Sequence, residues 1–393
     1  MTGVGAVTPL GVGSRTLHER WSAGECGLED GLGKCADFDP ADSMSRKEAR
    51  RTDRFTQFAL AAADEATAEA GWDGGSPYEP SRTSCVFGTG MGGVLTFENQ
   101  HDVLRERGRD RMSPLAIPLT MSNAAPATLA IRYGIGGESY AIVSACASGT
   151  QAIGAGLRMI ARGDCDAVLV GGSEACISPV GTAAFGRMGA LSTCGISRPF
   201  DRRRDGFVLA EGGGALVLEE EEGAKRRGAP VLGRVLGYGA SSDAHHLTVP
   251  DAEAAGAARA IRLALDDAGA EPDDVDYVNA HGTSTSLNDR VETAALKAAL
   301  GERAHDIPVS STKSAIGHLL GGAGAAEAVA TLLALRDHVA PPTLGLEEPE
   351  DGLDLNYVAG HAQALPNGDS PLVALSNSFG FGGHNAVVVL GTP

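Results

Sequence analysis

Ser144-Ala145-Cys146-Ala147-Ser148-Gly149 and Ser310-Ser311-Thr312-Lys313-Ser314 are the two stretches on which the reading of this chain turns. The first closes the apolar run Ala141 to Ser144 and opens a segment with Ile153, Leu157 and Ile160 at helical spacing. The second closes Pro308 to Ser311 and leads through Gly317 into an Ala/Leu-rich helix. Both are apolar strands that turn at once into a helix. The chain therefore reads as one βα unit used twice, with Cys146 and Lys313 at matching places. A charged, Gly/Pro-marked stretch from Lys225 to Pro230 separates the copies. The expected organisation is an α/β protein of two related halves, residues 1–226 carrying Cys146 and residues 227–393 carrying Lys313.

Further strands are expected at Ser84 to Gly88, Ala167 to Val170, Ala215 to Leu218, Val275 to Asn279, Leu372 to Leu375 and Ala386 to Leu390. Helices are expected at Arg51 to Ala70, Ser148 to Arg162, Glu253 to Ala268, Asp289 to Leu300 and Gly321 to Arg336. At 393 residues, 43% hydrophobic and 21% charged, the chain can bury a large core, which excludes a disordered or collagen-like protein. No apolar run approaches the ~18 residues of a membrane span, and the opening Met-Thr-Gly-Val-Gly has no secretory features, so a cytoplasmic protein without membrane contact is expected. A net charge of −18 repels phosphodiester backbones and argues against a nucleic-acid partner. Seven cysteines without a Cys-x-x-Cys pair or a metal-ligand spacing predict reduced thiols and no metal site; His245-His246 reads as loop.

Among those thiols Cys146 stands apart, because its small neighbours suit a crowded strand-to-helix turn and a helix N-terminus stabilises a thiolate. His281 ends the strand running to Ala280 and precedes the hydroxyl-rich Gly282-Thr283-Ser284-Thr285, while His318 closes Lys313-Ser314-Ala315-Ile316-Gly317. A cysteine and two histidines at strand ends of a doubled α/β body point to acyl-transfer chemistry. The run Asn377 to Asn385 reads as a mobile Gly-rich loop with Phe381 as a gate. Gly88-Thr89-Gly90-Met91-Gly92-Gly93 matches a dinucleotide-binding pattern, but no second strand with an acidic ribose ligand follows it. Two basic islands, Arg46, Lys47, Arg50, Arg51 and Arg54, and then Arg202, Arg203 and Arg204, suit either a solvated surface or a docking face for an anionic partner. Lys47, Arg50 or Arg51, and Arg54 recur at helical spacing, so one face is expected to carry them.

Four ordered motifs, Ser-Ala-Cys-Ala-Ser-Gly at 144–149, Asn-Ala-His-Gly-Thr-Ser-Thr at 279–285, Lys-Ser-Ala-Ile-Gly-His at 313–318 and Asn-Ser-Phe-Gly-Phe-Gly-Gly-His-Asn at 377–385, together resemble the β-ketoacyl-acyl-carrier-protein synthases of the elongating, synthase II type. Arg198-Pro199-Phe200-Asp201, Arg204-Asp205-Gly206-Phe207 and the opening Thr2-Gly3-Val4-Gly5 extend the likeness over essentially the whole chain. The resemblance implies a thiolase-like five-layer αβαβα fold with two pseudo-repeated halves, usually a homodimer. It implies decarboxylative Claisen condensation in fatty-acid elongation, with substrates carried on the phosphopantetheine of acyl carrier protein and no cofactor. Cys146 would hold the acyl chain, with the backbone N–H groups of Cys146 and Phe381 as oxyanion donors. His281 and His318 would donate to the enolate, Lys313 would orient them, and Glu327 would pair with Lys313. Thr283 and Thr285 would bind the phosphopantetheine arm, with Phe379 also at the substrate, and Met112 and Phe185 would line the acyl pocket. The basic islands would dock the carrier protein.

The same residues would serve a ketosynthase of a polyketide or polyene pathway paired with a chain-length factor. A non-catalytic partner subunit would not need Cys146, His281 and His318, and a thiolase would need a second cysteine near the C-terminus, whereas the last here is Cys194. Three departures from the family pattern bear on structure: few residues precede the Thr-Gly-x-Gly opening, so either the first strand is truncated or the numbering starts late; the stretch Leu191 to Arg198 is short; and Ser144 replaces the commoner Thr.

Overall fold

A computed structural model describes residues 1–368 and 370–393. The N-terminal part builds a six-stranded sheet from β1 (Gly3–Thr8), β2 (Gly11–Val12), β3 (Thr83–Gly88), β4 (Ser139–Ile142), β5 (Ala167–Glu174) and β6 (Gly212–Glu219), in the order β2-β1-β6-β5-β3-β4. The C-terminal part builds a five-stranded sheet from β7 (Arg234–Ser242), β8 (Tyr277–Asn279), β9 (Val309–Ser310), β10 (Val373–Gly380) and β11 (His384–Gly391), in the order β9-β8-β10-β11-β7. From β4 inward the pairings run parallel, parallel, antiparallel, antiparallel, and from β9 inward they run the same way. The strand before Cys146 and the strand before Lys313 thus occupy equivalent edges, as the matching of the two stretches predicts.

The helices complete five layers. One outer layer holds α1 (Arg54–Glu69) and α2 (Ala124–Tyr133); α3 (Ser148–Ala161) and α6 (Ala323–Arg336) lie between the sheets; and α4 (Ala255–Ala268) covers the far sheet with α5 (Ser286–Leu300) beside it. Of the two middle-layer helices α6 has no solvent face, and its sequence shows it: Ala323 to Leu335 are buried without a break. Strands β5 and β6 lie between helices on both sides and are buried along their whole length, so they read as continuous runs rather than alternating ones. Strand β1 pairs with β6 in register, Gly3 to Val7 against Val217 to Gly213. Among the described residues no helix is long and apolar enough to cross a membrane.

Candidate active site

Cys146 lies two residues before α3, in a turn held by its own hydroxyls. Ser148 Oγ donates to the Ala145 carbonyl (2.6 Å) and accepts from the Ser144 N–H (2.9 Å). Ala145 takes a left-handed φ of +50°, a conformation that β-carbon sterics disfavour, and it turns the sulfur toward the second half. His281 arrives from the end of β8 and His318 from the turn after β9. His318 Nε2 stands 3.0 Å from Cys146 Sγ, and the two imidazoles meet edge to face with centroids 5.4 Å apart. Phe207 abuts His318 and Phe379 abuts His281, both edge-on, so the rings have little freedom to turn.

The Leu320 N–H donates to His318 Nδ1 (3.2 Å), so a neutral ring carries its proton on Nε2 and points that N–H at the sulfur. The sulfur and imidazole donor atoms all lie within 4.8 Å of one another, near enough for the three to be weighed as metal ligands. A zinc ion needs a bare nitrogen lone pair, however, and the Leu320 bond leaves none on Nε2; the arrangement suits hydrogen-bond donation. Burial and the charge of Lys313 hold both histidines well below their ordinary pKa, so both are neutral near pH 7. The sequence predicts a thiolate favoured by the helix N-terminus, but burial dominates and pushes the Cys146 thiol up to about 11, with Lys313 and the Phe381 N–H pulling it down.

Lys313 and Glu327 form a buried ion pair behind the histidines, each 1% exposed. A cavity of about 500 Å³ opens over Cys146, within the range of small-molecule sites, and His281, His318, Thr283, Thr285, Phe185, Phe379 and Phe381 all line it. Thr283 and Thr285 share a hydroxyl hydrogen bond of 2.8 Å at its wall. Met112 is not among the lining residues; it is half-buried after the turn Arg109–Arg111. The run expected as a mobile loop is a β-hairpin: β10 and β11 pair up to Gly380 and His384, leaving only Phe381 to Gly383 as the turn. That turn is tied to the 243–247 segment, because the Asp243 N–H donates to the Gly383 carbonyl (2.9 Å) and the Gly382 N–H to the Leu247 carbonyl (2.7 Å).

The basic islands separate into surface and interior. Asp53 caps α1, so Lys47 and Arg50 or Arg51 lie outside that helix and share no continuous helical face with Arg54. Arg46, Lys47, Arg50 and Arg51 are exposed. Arg54 instead turns inward, with its Nε 2.8 Å from Glu211 and its guanidinium over the Phe58 ring at 4.7 Å. Arg204 is 1% exposed at its side chain and clamps Asp289, Glu350 and the carbonyls of Thr285 and Ser286. Arg202 and Arg203 reach the surface but pair with Glu348 and Asp351, and with Asp201 and Glu347.

Two buried carboxylates escaped the sequence reading. Glu292 accepts the N–H groups of His281 (2.8 Å) and Gly282 (2.7 Å), and Glu174, the last residue of β5, holds the loop after β3. Burial pushes each up to about 7 against these bonds. An acid ending an apolar strand, as in Gly171-Gly172-Ser173-Glu174, was the one available signal.

Residues 31–224 match the model of the β-ketoacyl synthase N-terminal domain and residues 232–347 that of its C-terminal domain. The chain belongs to the β-ketoacyl synthase family. It is 43% identical to a 3-oxoacyl-[acyl-carrier-protein] synthase 2 from Synechocystis sp., over 99% of this chain and 96% of the relative. A protein of the same name from Coxiella burnetii is 40% identical, over 99% and 97%. Among solved structures, the ishigamide ketosynthase/chain length factor superposes with a TM-score of 0.91 at 33% identity, over 100% of this chain and 98% of the other. A β-ketoacyl synthase from Burkholderia phymatum gives 0.90 at 33%, with the same coverage. The five layers are accordingly those of the thiolase-like ketosynthase fold.

Proposed function

We propose that this chain condenses an acyl chain, held as a thioester on Cys146, with malonyl-acyl carrier protein to give 3-oxoacyl-acyl carrier protein in fatty-acid elongation. The observation that carries the reading is the His318 Nε2–H aimed at Cys146 Sγ from 3.0 Å, with His281 beside it in one cavity. In loading, the sulfur attacks the carrier thioester carbonyl, the acyl group moves to Cys146, and the cysteine proton leaves with the carrier thiol. In this reading the Phe381 N–H, which pulls the thiol pKa down, supports the oxyanion together with the Cys146 N–H. In condensation the malonyl C–C bond breaks, CO₂ leaves with no net proton transfer, and the electron pair passes to the thioester oxygen as an enolate. Neutral histidines that donate N–H bonds stabilise that charge by about 3 kcal/mol per donor, and the enolate carbon then displaces Cys146 from its thioester.

The exposed Arg46, Lys47, Arg50 and Arg51 are the docking face for the acidic carrier protein in this reading. The free edge of β4, with Tyr140, Val143, Ile117 and Met121 exposed around it, is where a second copy would pair to make a homodimer. A second reading, a ketosynthase paired with a chain-length factor, is favoured by solved relatives described as such complexes. Incubation with acyl- and malonyl-carrier protein tests the function: an acyl mass increment on Cys146 followed by 3-oxoacyl product is expected, and loading without product overturns it. A homodimer active alone separates the first reading from the second.

A further inference from the structure

Glu174 has no cationic partner among the described residues, yet it is fully buried and accepts four hydrogen bonds. Thr89 Oγ1 and the Met91 N–H donate to Oε1, both at 3.1 Å. The Gly90 N–H (2.6 Å) and the Gly321 N–H (3.1 Å) donate to Oε2. The first three donors belong to the loop after β3 and the fourth to the segment just after His318, so one carboxylate joins the two halves of the chain beneath the cavity.

The Gly321 contact matters because of what stands before it. Leu320 is left-handed at φ +47°, unfavourable for a residue with a β-carbon, and its N–H is the donor that fixes His318 Nδ1. The Leu320 and Gly321 N–H groups therefore diverge, one to the catalytic imidazole and one to Glu174. Gly321 has no room to compensate, because a β-carbon there would lie 2.2 Å from the Gly90 nitrogen. Holding the Gly321 N–H holds the peptide turn that presents the Leu320 N–H.

We infer that Glu174 is a positioning residue for His318: through Gly321 and Leu320 it keeps the imidazole in the Nε2–H tautomer that the condensation step uses. This rests on the ketosynthase reading. A Gln in its place offers one oxygen and one NH₂ group, so N–H donors on one side of the carboxyl meet a donor instead of an acceptor.

The test uses Glu174→Gln in the full-length enzyme, with acyl loading of Cys146 followed by intact mass and condensation by CO₂ release from malonyl-carrier protein. Condensation is expected to fall roughly 10- to 100-fold through kcat, with KM and the loading rate within a few-fold, as misplacement of a catalytic group predicts. In ¹⁵N-histidine-labelled enzyme, His318 should change from a single tautomer to a mixture. Unchanged condensation, or equal loss of loading and condensation, overturns the inference. Should Glu174→Gln not fold, Thr89→Val removes one donor at nearly constant volume and must lower condensation while sparing loading; no effect there is also a refutation. A parent enzyme that releases no CO₂ would instead refute the ketosynthase reading.

Discussion

Replacing Lys313 with Met keeps the length and most of the volume of a fully enclosed side chain while leaving the Glu327 carboxylate without its partner. Both groups are 1% exposed, and Glu327 Oε2 already has no hydrogen-bond partner among the described residues, so no alternative donor stands ready. Breaking one side of a buried pair costs about 3–5 kcal/mol, whereas replacing both sides with apolar groups is often near neutral. Lys313→Met and Glu327→Met should therefore each lose about 3–5 kcal/mol, and the double variant no more than either, where independent sites would lose about 6–10. Burial raises the Glu327 pKa and Lys313 pulls it down, so the variant raises it further. A carboxyl whose folded pKa exceeds its unfolded value contributes stability at low pH that is lost as pH rises through the folded value. The gap between parent and Lys313→Met must then widen as pH rises above the ordinary carboxylate range. Urea unfolding followed by circular dichroism at several pH values reads both effects. Additive single losses, or a gap that ignores pH, would refute the argument.

Cys146→Ala should abolish the acyl mass increment, and peptide mapping of the parent should find no acyl group on Cys165 or Cys176. Reversing Arg50 and Arg51 to Glu should raise KM for carrier-bound substrate and weaken its salt dependence while sparing a small pantetheine substrate; Arg54→Ala should instead lower stability, because that side chain joins Glu211 to the Phe38 and Phe58 rings. Met112→Phe should shorten the longest accepted acyl chain in a graded way, about 1–3 kcal/mol per excluded methylene. Since Met112 lies outside the cavity of the single chain, an unchanged length profile would place the acyl tail wholly behind Phe185.

The strands legible in the sequence were those with uninterrupted apolar runs, such as Ala167 to Val170, and the structure extends that one to Glu174. Strand β7 escaped because Gly237 and Gly239 break its pattern. They are glycines because α4 presses on the strand: a β-carbon at Gly239 would lie 2.1 Å from the Ala260 carbonyl oxygen. The helix Val94–Arg107 escaped because it buries no residue and so shows no apolar stripe. Cys146, His281 and His318 were legible since each lies among small residues in the turn that follows a strand. The inward turn of Arg54 and Arg204 was not, because their acids stand 157 and 146 residues away in sequence, and a local charge count cannot distinguish a docking cation from half of a distant ion pair.

The seam between α3 and α6 fixes a dimension of the chemistry. Cys146 stands just before one helix and His318 just before the other, and where the helices touch, a β-carbon on Gly324 would come within 2.1 Å of Thr150 Oγ1 and one on Gly149 within 2.8 Å of the Ala325 nitrogen. The two halves are spaced there by bare backbone, the thinnest spacer a polypeptide has. That seam behaves like a gauge block: each added methyl must push the Cys146 thiol and the His318 imidazole apart together, so their separation and the interior packing are a single adjustable length.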